Sequence, residues 1–460
     1  MVSAVAYSTG HRAWGRVHRF AHRVVRPTSP HDARRALAAR EGAPVLAFGL
    51  GRSYGDCCLN PEGLLLETRG LDRLLAFDGE SGVVHCEAGA SLADLLATVV
   101  GRPAPDGGVW FLPVSPGTRF VTIGGAIAND VHGKNHETAG SFGRYLVDFR
   151  LLRSDGRILR CAPDENPELF CATIGGLGLT GLVLEARLSL VSVPGLWLEI
   201  EEVRFEDLEG FFRLAEESKE WTYTVAWVDC LARGRALGRG IFGRARHLRD
   251  PRPVPAPAPP RLRVPFDPPF SPLNRFSLQL FNALLFRRLG RGGRRHRVRP
   301  YHELLYPLDS IGSWNRLYGA RGFYQYQCVV PREGAFRAIA RLLDAIAASG
   351  QGSFLAVLKT MGDLPSPGWL SFPMPGATLA LDFPNRGEAT LALFDRLDRI
   401  VLDAGGRLYP AKDGRMPAPV FRAGYPRWPR FAELKDPVFS SAFWRRVAEG
   451  ATEPARARAA

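Results

Sequence analysis

Gly49-Leu50-Gly51-Arg52-Ser53-Tyr54-Gly55-Asp56 follows the apolar run Pro44-Val45-Leu46-Ala47-Phe48, and the way the two join decides the fold. The run is short and bounded by glycine, which predicts a buried strand that turns at Gly49. A Rossmann fingerprint needs Gly-x-Gly-x-x-Gly opening a helix, and here the third glycine stands one place too late. Nothing from Asp56 to Leu66 repeats with helical periodicity. Residues 83–87 alternate as a strand, and 90–100 reads as a helix capped by Ser91. The pattern is a small α+β unit, not the start of a doubly wound sheet.

A second glycine-rich stretch contains Pro116-Gly117-Thr118, Ile123-Gly124-Gly125-Ala126 and His132-Gly133-Lys134-Asn135. So many glycines argue against a packed helix there. Two such loops near strand ends suit one long phosphate-bearing ligand. Glycine allows positive φ and close backbone approach, so successive N–H groups can form a nest for anions. Arg52, Ser53, Thr118 and Thr122 add polar partners. There is no Gly-Lys-Ser/Thr P-loop and no His-Glu-x-x-His metal motif.

Downstream, Asn166-Pro167 opens a helix by an asparagine cap and a proline at its first position, and Gly175-Gly176 stops it. Residues 181–193 read as strand, and Pro194-Gly195 marks a boundary. From 250 to 273 the chain is dense in proline, which predicts a loop or extended linker. The apolar stretch 276–286 then runs into Arg287, Arg288, Arg291, Arg294, Arg295, Arg297 and Arg299. It reads either as an exposed insertion with a charged rim or as a mobile lip touching lipid tails and headgroups. Over 322–411 the order is strand 322–330, helix 333–348, strands 352–360 and 376–384, helix 388–404 and strand 406–411. Phe336, Ile339, Leu343 and Ile346 share one face of the first helix. That β-α-β-β-α-β order describes a ferredoxin-like unit. The division expected is 1–193, then 194–405 with an insertion about 250–300, then 406–460 packing back on the first part.

The 460 residues, 46% of them hydrophobic, exclude disorder as the main state. No uncharged apolar run reaches ~18 residues and the start of the chain lacks a signal-type apolar region. The expectation is a cytoplasmic or peripherally membrane-associated protein. Of 60 cationic residues only Lys134, Lys219, Lys359, Lys412 and Lys435 are lysine, and the net charge is +14. A compositional preference for arginine and an attraction to phosphate or anionic membranes both account for that excess. A nucleic-acid-binding reading finds no matching module in the glycine loops. The seven cysteines lack paired spacing, which argues against zinc sites and a disulfide framework.

Gly49–Asp56, Pro116-Gly-Thr-Arg119 and Gly124-Gly-Ala-Ile-Ala-Asn-Asp-Val-His-Gly-Lys-Asn135 together resemble the vanillyl-alcohol-oxidase (PCMH-type) superfamily of FAD enzymes. Within it they resemble the decaprenylphosphoryl-β-D-ribose 2′-oxidase family, the flavin subunits of a ribose-to-arabinose epimerase. Ala139–Gly143, Ala226–Asp229, Tyr301-His302, Pro307–Asp309, Gln325–Gln327 and Arg407–Asp413 support the likeness over almost the whole chain. It implies a two-domain α+β flavin fold, with an FAD domain built from both chain ends and a substrate domain between. The implied flavin contacts are Gly49, Gly51, Arg52, Ser53, Tyr54, Gly55, Asp56, Cys57, Gly117, Thr118, Thr122, Ile123, Gly124, Gly125, Asn129, Asp130, Val131, His132, Val183 and Tyr409. Tyr54 stands where covalent-flavin relatives often carry the attachment histidine, so FAD is expected to bind without a covalent bond.

Hydride loss from an alcohol leaves a hydroxyl proton for a base and develops charge that a cation stabilises. The resemblance points to Lys412 as that cation or as the holder of the substrate hydroxyl. His132 is a candidate base or a neighbour of the flavin ring, and Tyr54 completes the catalytic set. Lys134 is a candidate for the substrate phosphate or ribose. Gln325 and Gln327 lie on one face of a strand, where paired amides suit sugar hydroxyls. Trp227, Tyr301 and Lys359 are further pocket candidates. Mycobacterial members carry Asn-x-Cys before Asp-Phe-Pro, whereas this chain has Thr378-Leu379-Ala380, a smaller and thiol-free wall.

The implied activity is oxidation of C2′ in a polyprenylphosphoryl-β-D-ribofuranose. A separate NADH-dependent short-chain reductase would complete the epimerisation, since no nicotinamide fingerprint is present. The alternative keeps the flavin and makes the substrate a soluble sugar, alditol or aldonolactone, with O2 as acceptor.

Overall fold

Two sheets, one of four strands and one of five, carry the glycine loops. The computed structural model describes residues 6–450 except 100, 258, 261, 269–272 and 291. The expected helix end at Val100, Arg291 of the arginine run and residues 451–460 therefore lie outside the described residues. The four-stranded sheet has the order β1 (Ala6–Ser8), β2 (His22–Val25), β4 (Leu64–Glu67), β3 (Val45–Phe48), with α1 (Pro30–Ala38) joining β2 to β3. β2, β3 and β4 run parallel, so β3 is buried and reads as a continuous apolar run. The five-stranded sheet has the order β5 (Leu74–Phe77), β6 (Val83–Glu87), β10 (Leu182–Ser189), β8 (Leu146–Leu152), β9 (Ile158–Cys161) and is antiparallel throughout. A small ribbon pairs β7 (Val109–Phe111) with β11 (Val191–Val193). Helix α2 (Leu92–Val99) starts at Ser91, whose Oγ accepts the Asp94 N–H at 3.2 Å.

Part of the second glycine stretch is a helix after all. Thr122 caps α3 (Ile123–Ala128), its Oγ1 accepting the Gly125 N–H at 3.1 Å. Gly124 lies so close to the Ala88 backbone that an added Cβ would stand 3.2 Å from the Ala88 oxygen. Tertiary packing needs the glycine there and overrides its poor propensity. The short α4 (His136–Ala139) follows, then α5 (Pro167–Thr173). Asn166 precedes α5 in a left-handed conformation, yet its side chain caps nothing and donates instead to the Arg160 carbonyl.

The remaining large sheet has eight strands in the order β16-β12-β14-β13-β19-β20-β18-β21. Its ranges are β12 (Trp197–Phe205), β13 (Tyr223–Val228), β14 (Gly240–Leu248), β16 (Arg294–Pro300), β18 (Phe323–Pro331), β19 (Ala356–Met361), β20 (Gly376–Pro384) and β21 (Arg407–Leu408). β18, α9 (Ala335–Ser349), β19, β20, α10 (Glu388–Asp403) and β21 form the expected ferredoxin-like unit. Phe336 is a correction: it is 51% exposed, while Ala338, Ile339, Leu342 and Ile346 face the sheet.

The insertion is also a correction. β12, α6 (Leu208–Glu216), β13, β14, α7 (Arg275–Arg287) and β16 repeat the β-α-β-β-α-β order with the same strand arrangement. The two units meet where Ala226 and Trp227 pair with Leu358 and Val357. Two arginines of β16, and Arg288 just after α7, are drawn into the sheet edge by two acids of β12. Glu201 pairs with Arg294 and Glu202 with Arg297 and Arg288. A two-residue strand, β15 (Leu262–Arg263), lies parallel to β17 (Ile311–Gly312), which follows α8 (Tyr301–Leu305).

Helices α11 (Ala418–Gly424), α12 (Trp428–Leu434) and α13 (Ala442–Val447) return to the first sheets, where Phe439 bridges to Val45. Arg446 ties the return down. It donates to Asp56 at 2.7 Å and Asp413 at 3.1 Å, both buried, and to the Met416 carbonyl.

Candidate active site

A cleft with about 350 Å³ of room lies between the glycine loops and the eight-stranded sheet. Gly49 abuts the Thr122 side chain, where an added Cβ would collide with Oγ1 at 2.5 Å, so the two loops meet. Gly51 has φ +60°, the left-handed region that glycine enters without strain. Among the described residues, no acceptor of the chain takes the backbone N–H groups of Gly49, Leu50, Gly51, Arg52 or Ser53. Five consecutive unpaired donors on residues that line a cleft are the arrangement of a cradle that fits a phosphate. Gly117 across the cleft has nothing within 4 Å of an added Cβ. Two buried polar atoms on the same walls, Asn129 Oδ1 and His132 Nδ1, also lack partners. Open donors on one side and orphaned polar atoms along the wall fit an extended dinucleotide such as FAD.

Most expected flavin contacts line this cleft: Gly49, Gly51, Arg52, Ser53, Tyr54, Cys57, Gly117, Thr118, Thr122, Gly124, Gly125, Asn129, Val131, His132, Val183 and Tyr409. Four do not. Gly55 presses on the Asp413 backbone, Asp56 is paired with Arg446, and Ile123 is core. Asp130 is wholly buried behind the wall, accepting the Gly143 N–H at 2.8 Å and the Ser366 hydroxyl at 2.5 Å. These four hold the loops rather than touch the space.

On the sheet side Lys134, Gln325, Gln327, Lys359, Thr378, Ala380 and Lys412 converge on the cleft. The register explains it: Ala380 lies across from Gln327 on one neighbour and Val357 on the other, and Thr378 across from Lys359. Trp227 and Tyr301 are not on the wall. The indole donates to the Phe354 carbonyl at 3.1 Å, and Tyr301 packs edge-on to Phe111. Val225, two residues before Trp227, lines the cleft instead.

Three of the five lysines thus meet at one site. Lys134 Nζ donates to the Leu305 carbonyl and Lys359 Nζ to the Gly133 carbonyl, each at 2.9 Å. Burial pushes Lys134 down to about 8, with Asp309 opposing. Burial, then the neighbouring lysines, push Lys359 down to about 7. Lys412 sits over the Tyr54 ring, Nζ 3.9 Å from its centroid. Burial lowers its proton affinity and the Asp382 carboxylate opposes that, while burial raises Asp382 in turn. His132 is held neutral, first by burial and then by Lys359.

The amides are oriented from behind. Gln325 Nε2 donates to Asp382 Oδ1 at 2.6 Å, which turns its carbonyl oxygen away from that carboxylate. Gln327 Nε2 donates to His132 Nε2 at 3.2 Å and to Thr378 Oγ1 at 3.4 Å. With the Gln327 amide in this orientation His132 Nε2 accepts, which leaves Nδ1 facing the cleft wall without a partner. Sequence reasoning missed Asp382, and it missed Asp309, which takes the Thr118 hydroxyl at 2.6 Å and the Arg119 N–H at 3.1 Å. It also missed Trp14, over which the Arg52 guanidinium stacks at 4.2 Å. Asp382 and Asp309 stand inside quoted motifs, so an acid two residues after Ala380 and one beside Leu308 were the available signals.

The family description "FAD binding domain" matches residues 21–162. Decaprenylphosphoryl-beta-D-ribose oxidase of Mycolicibacterium smegmatis is 37% identical over 459 aligned positions, covering 94% of this chain and 96% of that protein. L-gulono-1,4-lactone dehydrogenase of Mycobacterium tuberculosis is 24% identical over 444 positions, covering 92% and 95%. Cytokinin dehydrogenase 8 of Oryza sativa subsp. japonica is 30% identical over 211 positions, covering 41% and 38%. Fold, cradle and matched domain define an FAD-binding oxidoreductase of the vanillyl-alcohol-oxidase type. Within that class the chain belongs to the decaprenylphosphoryl-β-D-ribose oxidase family. Among the described residues no helix is long and apolar enough to cross a membrane.

Proposed function

We propose that the chain oxidises the C2′ hydroxyl of a polyprenylphosphoryl-β-D-ribofuranose to the 2′-keto sugar. The observation that carries this reading is the convergence of Lys134, Lys359, Lys412, Gln325 and Gln327 beside the flavin cradle. Bound FAD supplies the hydride acceptor. The Gly49–Ser53 N–H groups hold its phosphates, and Gly117, Thr118, Thr122 and Asn129 line its path. Lys412 Nζ holds the reacting hydroxyl and takes its proton, since burial brings amine and ammonium close in free energy. The outward carbonyls of Gln325 and Gln327 accept from the ribose hydroxyls. Lys134 and Lys359 face the phosphodiester. The flavin domain comprises residues 1–193 and the returning C-terminal helices. A separate NADH-dependent short-chain reductase completes the epimerisation, and the lipid tail implies peripheral contact with a membrane.

The test is an anaerobic visible spectrum before and after a short-chain prenylphosphoryl-β-D-ribose is added. Bleaching of the flavin band is expected. A yellow protein that stays oxidised would move the substrate elsewhere, and one that reconstitution cannot turn yellow would remove the flavin.

FAD is held without a covalent bond in this reading. Tyr54 is buried with its phenol held well above the ordinary range, and burial pushes the Cys57 thiol up to about 12. Acid precipitation should release all the flavin into the supernatant; colour retained in the pellet would refute it.

Substrate binding should also take up protons. An anion beside Lys359 and Lys134 favours their ammonium forms, while the phosphodiester itself does not titrate near neutrality. In the empty site those lysines change protonation near pH 7 to 8. Uptake should therefore be seen at pH 8 and vanish by about pH 5, where both are already protonated. Calorimetry in buffers of different ionisation enthalpy reads it directly, and equal enthalpies at pH 8 would contradict the assignment.

The thiol-free wall has its own consequence. Cys57 and Cys58 line the cleft, but burial raises both thiols, so a cleft-directed electrophile should leave them unmodified. Ala380→Cys should add one reactive site, seen as a single mass increment by intact-protein mass spectrometry. Modification of the parent protein at Cys57 or Cys58 would count against this.

A further inference from the structure

Helix α7 is apolar on two opposite faces. Leu278, Asn282 and Phe286, spaced by four, are buried, and Asn282 donates to the Asp229 carboxylate at 2.7 Å. Phe286 lies beneath the Arg204 and Arg239 guanidiniums. Phe276, Leu280 and Leu284, also spaced by four and about half a turn away, are 82%, 63% and 63% exposed. The helix is not loosely formed: Asn274 and Ser277 close a capping box at its start. Leu262 and Phe266 nearby in the chain are exposed as well. Such a helix is expected to have two partners, and the sheet is one of them.

The charge along this segment of chain has one sign. From 268 to 302 the chain holds eight arginines and no Asp or Glu. Arg288, Arg294 and Arg297, three of the seven arginines in the run read from sequence as a charged rim or a headgroup contact, are occupied by Glu201 and Glu202. Among the described residues, Arg275 and Arg287 at the two ends of α7, and Arg295, have no acidic partner. An apolar stripe with free cations at both ends complements an anionic lipid surface, tails against the stripe and phosphates against the rim. The buried side of the same helix packs beside the site. Leu278 shares one apolar cluster with Tyr54, Trp314, Tyr318 and Phe323, and partly buried Leu308 and Ile311 pack on it.

We propose that the Phe276–Leu280–Leu284 face of α7, with Arg275 and Arg287, is the surface by which the protein docks on an anionic bilayer. This deepens the proposed function, on which its sense rests: docking there sets the cleft at the surface that holds a lipid-linked substrate.

The experiment is co-sedimentation of the full FAD-loaded chain with vesicles of phosphatidylcholine containing about one-third phosphatidylglycerol. The parent protein should bind these and bind pure phosphatidylcholine much less. Phe276→Asp/Leu280→Asp/Leu284→Asp should lower the partition coefficient by about 100-fold or more, since apolar insertion is lost and negative charge added. Phe336→Asp, on an exposed side chain of α9, should bind as the parent does. Flavin bleaching by a short-chain substrate should stay within about twofold in the triple variant, as for surface substitutions generally.

No binding by the parent, equal binding by the triple variant, or equal binding to neutral vesicles overturns the proposal. So does a dimer that the triple variant dissolves without any vesicle binding, which would give the face to a second copy. Vesicle binding without bleaching would instead overturn the substrate reading and leave the surface standing.

Discussion

Lys412→Met is expected to slow substrate-driven bleaching of the flavin by about 10²–10³-fold, the cost of removing one preorganised polar group from a buried site. Lys412 is partly buried, with its Nζ over the Tyr54 ring and steadied by the charge of Asp382. Methionine keeps the length and removes the nitrogen. The flavin spectrum and the melting temperature should change little, because burying an uncharged chain in place of an amine is no added penalty. Anaerobic stopped-flow at saturating substrate reads the rate. A variant bleaching within threefold of the parent would place the proton acceptor elsewhere. Lys359→Met should differ in kind: substrate affinity should fall while the limiting rate holds, because its Nζ, anchored on the Gly133 carbonyl, is assigned to the phosphodiester and not to the reacting hydroxyl.

Arg446→Met should be the most destabilising single change, by about 3–5 kcal/mol, the usual loss when one partner of a buried ion pair is removed. Asp56 and Asp413 would both remain buried without their cation, and the Met416 carbonyl would lose a donor. Asp56 ends the first glycine loop, and Asp413 presses on Gly55 and is neighbour to Lys412. The damage should therefore reach the cleft, with weaker retention of FAD alongside a lower urea midpoint. Urea unfolding with parallel flavin release tests this; a midpoint unchanged within error would show that the pair contributes nothing. Asp56→Asn with Arg446→Met should recover part of the loss, since the orphaned charge is then removed as well.

The sheet half of the site shows how local pattern and pairing divide the information. Gln325 and Gln327 could be put on one strand face from their spacing. That Gln325 is turned by Asp382, and Gln327 by His132 and Thr378, depends on a ladder between β18 and β20 that no single segment contains. The arginine run illustrates the same limit. Its composition reads as a solvated rim, yet Glu201 and Glu202 on β12 make it the outer strand of an eight-stranded sheet.

By itself the sequence determined the features whose cause is local. The two glycine loops, the Ser91 cap, and the alternation and 3.6-residue period of the second ferredoxin-like unit are written in adjacent residues. So was the lysine count that made Lys134, Lys359 and Lys412 conspicuous. Only the tertiary structure decided the matching first unit, whose halves are separated by the proline-rich stretch and whose strand order rests on long-range pairing. Only it made a helix of Ile123–Ala128, where glycine's entropic cost is offset by a close approach to Ala88. And only it joined Arg446 to Asp56 across 390 residues, because a buried charge finds its partner by proximity in space, which chain separation does not report.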